Sequence, residues 1–112
     1  MEITSINRVE LRGRLGQDPK ITKVGDSQVS RFSVATNETF KDKKGELKEE
    51  TTWHNVVAWA GKSIEDCSKL KKGTLVSVIG RLRTAKYVSA AGEDKQFVEI
   101  VATKLNSVEQ NE

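Results

Sequence analysis

Residues 51–59 read Thr51-Thr52-Trp53-His54-Asn55-Val56-Val57-Ala58-Trp59. These β-branched and aromatic residues favour a β-strand, in which successive side chains point to opposite faces. One face then carries both tryptophans, Trp53 and Trp59, and the other carries His54, Val56 and Ala58. At ~3.3 Å per residue, the two indoles would lie ~20 Å apart along an extended strand. We predict a strand over residues 47–60, with its tryptophans either packed in a core or open to solvent.

The same alternation recurs on both sides of this strand. In the first strand, Val9, Leu11 and Leu15 share one face with Gly13, and charged residues occupy the other face. Such a strand covers a core on one side and meets water or a ligand on the other. Gly13 and Gly16 indicate a bend or bulge, as a small barrel needs at its corners. The predicted strands are residues 7–15, 28–37, 47–60, 74–87 and 95–105, with a short extended run at 21–24 and polar turns at 40–46 and 91–93.

Between the third and fourth strands the period changes. Ile64, Cys67 and Leu70 recur at intervals of three, which is typical of a helix. Ser63 followed by Asp66 resembles a capping box, so we predict a short helix over residues 63–71. Three strands, one helix and two strands are the order of a five-stranded OB-fold barrel. The expected fold is therefore all-β, with one short helix between strands 3 and 4.

Composition limits the class of protein. The chain has 112 residues, which suits one domain, with 36% hydrophobic and 31% charged residues and a net charge of +3. No apolar run suits a membrane span, and residues 1–5 do not resemble a signal peptide, so a cytoplasmic protein without membrane contact is expected. The single cysteine, Cys67, excludes an internal disulfide and lies on the apolar stripe, so we predict that it is a core residue.

The residues provide no candidate for catalysis. Acidic side chains are interleaved with lysines in turns, and no Ser/His/Asp set or phosphate-binding glycine loop stands out. His54 is a lone histidine with no clustered second ligand type, so it is more simply a core or interface residue than a metal ligand. We expect neither enzymatic activity nor a cofactor.

Aromatic residues stand beside cations at two further places. Phe40 precedes Lys41 and Lys43, and Tyr87 follows Arg83 and Lys86. Rings that stack on bases and cations that neutralise phosphates together permit single-strand binding without sequence preference. The alternative is that the tryptophans pack in a core and that the basic residues are ordinary solvated surface.

Several segments together resemble the bacterial single-stranded DNA-binding protein family, over about residues 7–101. The most specific are the Trp53-His54 pair and the run from Gly80 to Tyr87, which contains Gly-x-Leu-Arg-Thr. The segments that carry the resemblance are Asn7–Pro19, Phe32–Glu38, Glu50–Val57, Leu70–Gly73 and Gly80–Tyr87.

This resemblance implies an OB fold that binds and protects single-stranded DNA in replication, recombination and repair, as a homotetramer in the bacterial cytoplasm, associated with the nucleoid. It implies base stacking by Phe40, Trp53, Trp59 and Tyr87, and places His54 at a subunit interface. Phe40 and Tyr87 stand where the family often has tryptophan. We predict phosphate contacts by Arg8, Arg12, Lys41, Lys43, Lys62, Lys72, Arg81, Arg83 and Lys86.

The predicted domain covers residues 1–106. The last residues, 107–112, form a short remnant without the family's usual acidic tail, so partner proteins recruited through a tail are not expected. Two alternatives remain open at this stage: an RNA-binding or primosome-type OB protein, and a scaffold domain that keeps the barrel but contacts other proteins.

Overall fold

The computed structural model describes residues 4–109 of the chain. Residues 1–5 and the predicted C-terminal remnant (107–112) lie partly outside the described residues. The described part comprises β1 (Val9–Leu15), β2 (Lys20–Val24), β3 (Ser27–Lys41), β4 (Leu47–Trp59), a 3-10 turn (Cys67–Lys69), β5 (Leu75–Val88) and β6 (Asp94–Ser107).

Five of these strands close into a barrel. Their order is β1-β5-β6-β4-β3, and β1 pairs again with β3 to complete the ring. The β4–β6 ladder is parallel, and the other ladders are antiparallel. β2 pairs with the first part of β3, outside the ring. The all-β, five-stranded OB barrel predicted from the sequence is confirmed.

Aliphatic side chains from the five strands fill the barrel. Val56 and Ala58 of β4 face this core, as the alternation predicts. Each fully buried Val, Leu, Ile or Phe stabilises the fold by about 1.5–3 kcal/mol. The core cluster consists of Leu15, Phe32, Val34, Val56, Ala58, Cys67, Leu70, Val76, Val78, Ile100, Ala102 and Leu105.

The ring closes where β1 crosses β3, through the pairs Arg14 with Ala35 and Leu15 with Val34. A Cβ on Gly13 would lie 2.2 Å from the carbonyl oxygen of Ala35, closer than atoms can approach. Glycine is therefore required where the two backbones cross.

A second close approach lies on the β5–β6 ladder. The register shifts between Ile79 and Gly80, which marks a bulge. A Cβ on Gly80 would lie 2.2 Å from the carbonyl oxygen of Val101. The sequence indicated a bend or bulge at Gly13 and Gly16, but the register shift is beside Gly80, where β6 carries one extra residue, Thr103, without a partner on β5.

The predicted helix over residues 63–71 is wrong, since only Cys67–Lys69 form a single 3-10 turn. The amide of Leu105 donates to the carbonyl oxygen of Ser63 (2.9 Å), and the amide of Glu65 donates to that of Leu105 (2.8 Å). The carbonyl group of Ser63 and the amide of Glu65 are therefore hydrogen-bonded to β6 instead of starting a helix.

Asp66, predicted to form a capping box with Ser63, caps the 3-10 turn instead. Its Oδ1 accepts hydrogen bonds from the amide (3.0 Å) and hydroxyl (2.7 Å) of Ser68. These hydrogen bonds lower the pKa of Asp66 from its ordinary value.

The three apolar residues of the predicted helix nevertheless face the core: Cys67 and Leu70 are buried, and Ile64 packs against the core. Burial also raises the pKa of the Cys67 thiol.

Two long ribbons extend from the barrel. β4 and β6 are parallel, so the β3–β4 and β5–β6 turns lie at the same end of the barrel.

The sequence predicted a loop over residues 40–46, but Phe40 and Lys41 belong to β3, with Phe40 opposite Lys48. The turn is shorter because Asp42 closes it: its Oδ1 accepts hydrogen bonds from the amides of Lys44 (2.8 Å) and Glu46 (2.9 Å).

Within residues 4–109, no helix is long and apolar enough to cross a membrane.

The bulge provides a test of the barrel geometry. Gly80→Ala should destabilise the fold by about 1–3 kcal/mol, because its Cβ meets the rigid backbone of Val101. The matched control is Gly61→Ala, whose Cβ would meet only the carbonyl oxygen of Trp59, at 3.9 Å. Urea unfolding of both variants gives the difference in unfolding free energy, and equal stabilities would contradict the contact.

Candidate nucleic-acid interface

All four aromatic side chains predicted to stack on bases are open to solvent. The exposed fractions are 48% for Phe40, 59% for Trp53, 44% for Trp59 and 51% for Tyr87. Of the two interpretations left open by the sequence, packing of the indoles in the core is therefore excluded. The four rings are therefore available for stacking, and their contact with bases stays a prediction.

The indole of Trp53 rests against the end of β1. A Cβ on Gly16 would lie 2.3 Å from Cζ3 of Trp53 and 2.8 Å from Oγ of Ser33. The amide of Gly16 donates to the carbonyl oxygen of Ser33 (3.0 Å), which holds this part of β1 on β3. The absence of a side chain at Gly16 therefore leaves the space that the indole occupies. The sequence singled out this glycine as a bend, and its role beneath Trp53 follows only from the tertiary structure.

Trp59 is the last residue of β4 and stands opposite Val29 of β3. Trp53 and Trp59 share the outer face of the barrel, as predicted, with Asn55 and Val57 between them. Val57 is nevertheless buried. Arg31 lies opposite Val57 on β3 and reaches across β4 to Glu99 on β6. An arginine stem in such a position can shield an apolar neighbour while its head stays solvated.

The two remaining aromatics lie on the ribbons. Phe40 is five positions beyond Ala35, the partner of Trp53, so alternation places Phe40 on the opposite face of the β3–β4 ribbon. Tyr87 lies near the end of β5 and packs against Phe97 of β6, with ring centroids 5.9 Å apart. Sequence reasoning missed Phe97, although the alternation of β6 places it on the outer face with Glu99.

All nine predicted phosphate contacts are exposed, but they lie in separate places. The β1–β5 register brings Arg8 beside Arg81. Lys41 and Lys43 lie at the β3–β4 turn, and Lys86 lies near the β5–β6 turn at the same end of the barrel. The others are Arg12 on β1, Arg83 on β5, and Lys62 and Lys72 on the connection from β4 to β5, at the opposite end.

Arg83 takes part in an ion-pair cluster that the sequence did not suggest. Its Nε donates to Oε1 of Glu99 (3.1 Å), and its Nη2 contacts the same oxygen. Arg31 donates from Nη1 to Oε2 of Glu99 (3.1 Å). The carboxylate is 2% exposed, whereas both arginine side chains are about half exposed. Two cations thus share one buried anion on the outer face, between strands that are far apart in the sequence.

His54 lies on the face opposite the tryptophans and is half-buried. Its Nε2 is 2.9 Å from the hydroxyl of Thr36 on β3. Its predicted place at a subunit interface stays a prediction. Among residues 4–109, no three His, Cys, Asp or Glu side chains come together in a way that could hold a metal ion.

Comparison with known proteins agrees with this geometry. The chain is 44% identical over 103 residues to "Single-stranded DNA-binding protein 1" of Chlorobaculum tepidum, covering 89% of this chain and 63% of the relative. It is 38% identical over 102 residues to the single-stranded DNA-binding protein of Neisseria meningitidis serogroup A, covering 90% of this chain and 59% of the relative. The chain thus spans about three fifths of the length of these curated relatives.

Solved structures are similar over nearly the whole chain. The Plasmodium falciparum SSB in complex with single-stranded DNA superimposes with a TM-score of 0.83 at 35% identity, covering 97% of this chain and 100% of that one. A deletion mutant of the Thermus aquaticus single-stranded DNA binding protein gives 0.79 at 27% identity, covering 93% and 51%. Residues 6–108 match the Single-strand binding protein family, and the chain belongs to that family.

Proposed function

We propose that this protein binds and protects single-stranded DNA without reading its sequence, as a homotetramer. The observation that carries the proposal is the exposure of four aromatic side chains, between 44% and 59%, on a barrel rich in surface cations. The family and the relatives named as DNA-binding proteins support the same ligand. We further propose that it acts in replication, recombination and repair, in the cytoplasm of a bacterium and in association with its nucleoid.

Stacking explains how any sequence can be bound. Every base has a π-face, and stacking on an aromatic side chain contributes about 1–3 kcal/mol per base. In a duplex these faces are covered, so the same surface favours unpaired strands. Trp53 is the strongest candidate, because Gly16 and β3 brace its indole while 59% of its surface stays open.

The positions of the aromatics suggest a path for the bound DNA strand. From Trp59 to Trp53 the DNA would follow the outer face of β4, and Tyr87 would hold it at the β5–β6 ribbon. Phe40 lies on the other face of the β3–β4 ribbon, so a strand that touches both Phe40 and Trp53 has to pass round the edge of that ribbon. Lys41 ends β3 and Lys43 lies in the β3–β4 turn, at the tip of this ribbon, where they would neutralise phosphates.

Titration with single-stranded DNA tests the proposal. Trp53 and Trp59 are the two tryptophans of the chain, so oligo-dT should quench the intrinsic fluorescence, duplex DNA should not, and added salt should weaken binding. Trp53→Ala should weaken binding to all base compositions about equally, by about 1–3 kcal/mol. The matched control is Thr52→Ala, an exposed position on the other face of the same strand.

Three outcomes would contradict the proposal. Tighter binding of structured RNA than of oligo-dT would favour an RNA-binding protein. An absence of quenching at low salt would leave a protein-binding scaffold. An effect of Trp53→Ala confined to one base composition would indicate sequence readout.

The contact between Gly16 and Trp53 gives a second prediction. In a Trp59→Phe background, where Trp53 is the sole tryptophan, Gly16→Ala should change the emission spectrum and weaken oligo-dT binding, because the new Cβ displaces the indole. The loss should not exceed the about 1–3 kcal/mol expected for Trp53→Ala. Gly61→Ala is the matched control, since its Cβ meets no side chain within 4 Å. Unchanged emission and affinity would show that the indole does not rest on Gly16.

Assembly is tested separately. Sedimentation equilibrium should give the mass of four copies of the chain, each of 12.5 kDa. His54→Glu should lower the mass, because the proposed subunit interface would then bury an unpaired charge. A monomer that persists at the highest concentrations would rule out the tetramer.

A further inference from the structure

We propose that Arg31 and Arg83 together bind one backbone phosphate of the DNA, and that Glu99, which stays paired with both arginines, limits the strength of this contact. The inference rests on the proposed function and adds to it two residues, Arg31 and Glu99, together with a control of affinity. It starts from the burial of a carboxylate on the face that carries both tryptophans.

The cluster lies on the expected path of the strand. Arg31 is opposite Val57, which lies between Trp53 and Trp59 along β4. Glu99 is opposite Arg83 on the β5–β6 ladder, and the parallel β4–β6 register brings it level with Asn55. A strand stacked on both tryptophans therefore passes over the two guanidinium groups.

Arg31 and Arg83 have more N–H donors than their contacts with Glu99 use. A guanidinium carries five N–H donors. Among residues 4–109, the structure gives the guanidinium of Arg31 one hydrogen bond and that of Arg83 two contacts, all with Glu99. Each head also remains about half exposed, while Glu99 is 2% exposed. A phosphate can approach both heads from solvent without meeting the carboxylate directly.

Space for a nucleotide lies next to this cluster. An open depression of about 390 Å³ is lined by Arg31, Glu99, Lys20, Ser33, Asn55 and Phe97, among others. This volume is within the usual range for small-ligand sites. Lys20 adds a third cation, and Phe97 adds an aromatic ring, so the lining suits a phosphate with its attached nucleoside.

Glu99 reduces the attraction that these cations exert. The cluster of two arginines and one carboxylate has a net charge of +1, so the incoming phosphate meets about half the charge that the arginines alone would present. Each oxygen of Glu99 accepts from a different arginine, so the carboxylate also holds the two heads side by side. The buried anion thus sets both the geometry of the site and the strength with which it holds a phosphate.

Substitution of Glu99 by Gln tests this role. Glu99→Gln keeps the size and one acceptor oxygen but removes the charge, so it should bind oligo-dT roughly three- to tenfold more tightly at moderate salt, since a unit charge ~7 Å from the phosphate is lost. The slope of log K against log salt should steepen by ~0.7 for each additional phosphate that the arginines neutralise. Fluorescence anisotropy of labelled oligo-dT at four salt concentrations measures both quantities.

Glu109→Gln is the matched control, because it makes the same change in net charge at an exposed position beyond β6. An affinity and slope equal to those of this control would overturn the inference, as would weaker binding with a shallower slope. In either case oligo-dT binding by the wild-type protein would still support the proposed function, whereas failure of the wild type to bind would refute that function itself.

A second variant covers the case in which Glu99→Gln does not fold, which circular dichroism will show. Arg31→Gln replaces a half-exposed side chain and should weaken binding, with a slope shallower by ~0.7. An unchanged slope would place Arg31 off the path of the strand and overturn the inference.

Discussion

The barrel depends on a crossing of two backbones that leaves no room for a side chain. β1 meets β3 through two residue pairs, and Gly13 approaches the carbonyl oxygen of Ala35 so closely that a Cβ would lie 2.2 Å from it. This crossing turns a sheet into a closed ring and encloses the core. It also fixes the position of Gly16, three residues further on, and thereby the space in which Trp53 lies. Closure of the barrel and presentation of an aromatic surface are therefore consequences of the same crossing.

The two faces of β4 lie in different environments, one in the core and one at the surface. Val56 and Ala58 point into the core, and Trp53 and Trp59 point out from the same strand. The core side anchors the strand through aliphatic packing, so the indoles are held on a rigid element rather than on a loop. Such rigidity lowers the conformational entropy lost when a flexible nucleic acid strand binds.

The charge on the outer face is less uniform than the sequence suggests. Arg83 was predicted to contact phosphate, but in the folded chain it shares Glu99 with Arg31. A buried carboxylate needs such partners, because an unpaired charge out of water is strongly unfavourable. The same pairing holds both arginine heads on one carboxylate.

Much of this protein could be predicted from its sequence, and the parts that could not share one physical cause. Alternation along residues 51–59 assigned each side chain of β4 to its face, because that periodicity is local to an extended backbone. The helix over 63–71 failed because Ser63 and Glu65 pair with Leu105, about forty residues away. The Gly80 bulge, the packing of Trp53 on Gly16 and the Arg31–Glu99 pair likewise join residues distant in the chain. The sequence by itself determined the strands, the apolar face and the family; only the tertiary structure decided which backbones cross and which charges meet, because these contacts exist only once the barrel has closed.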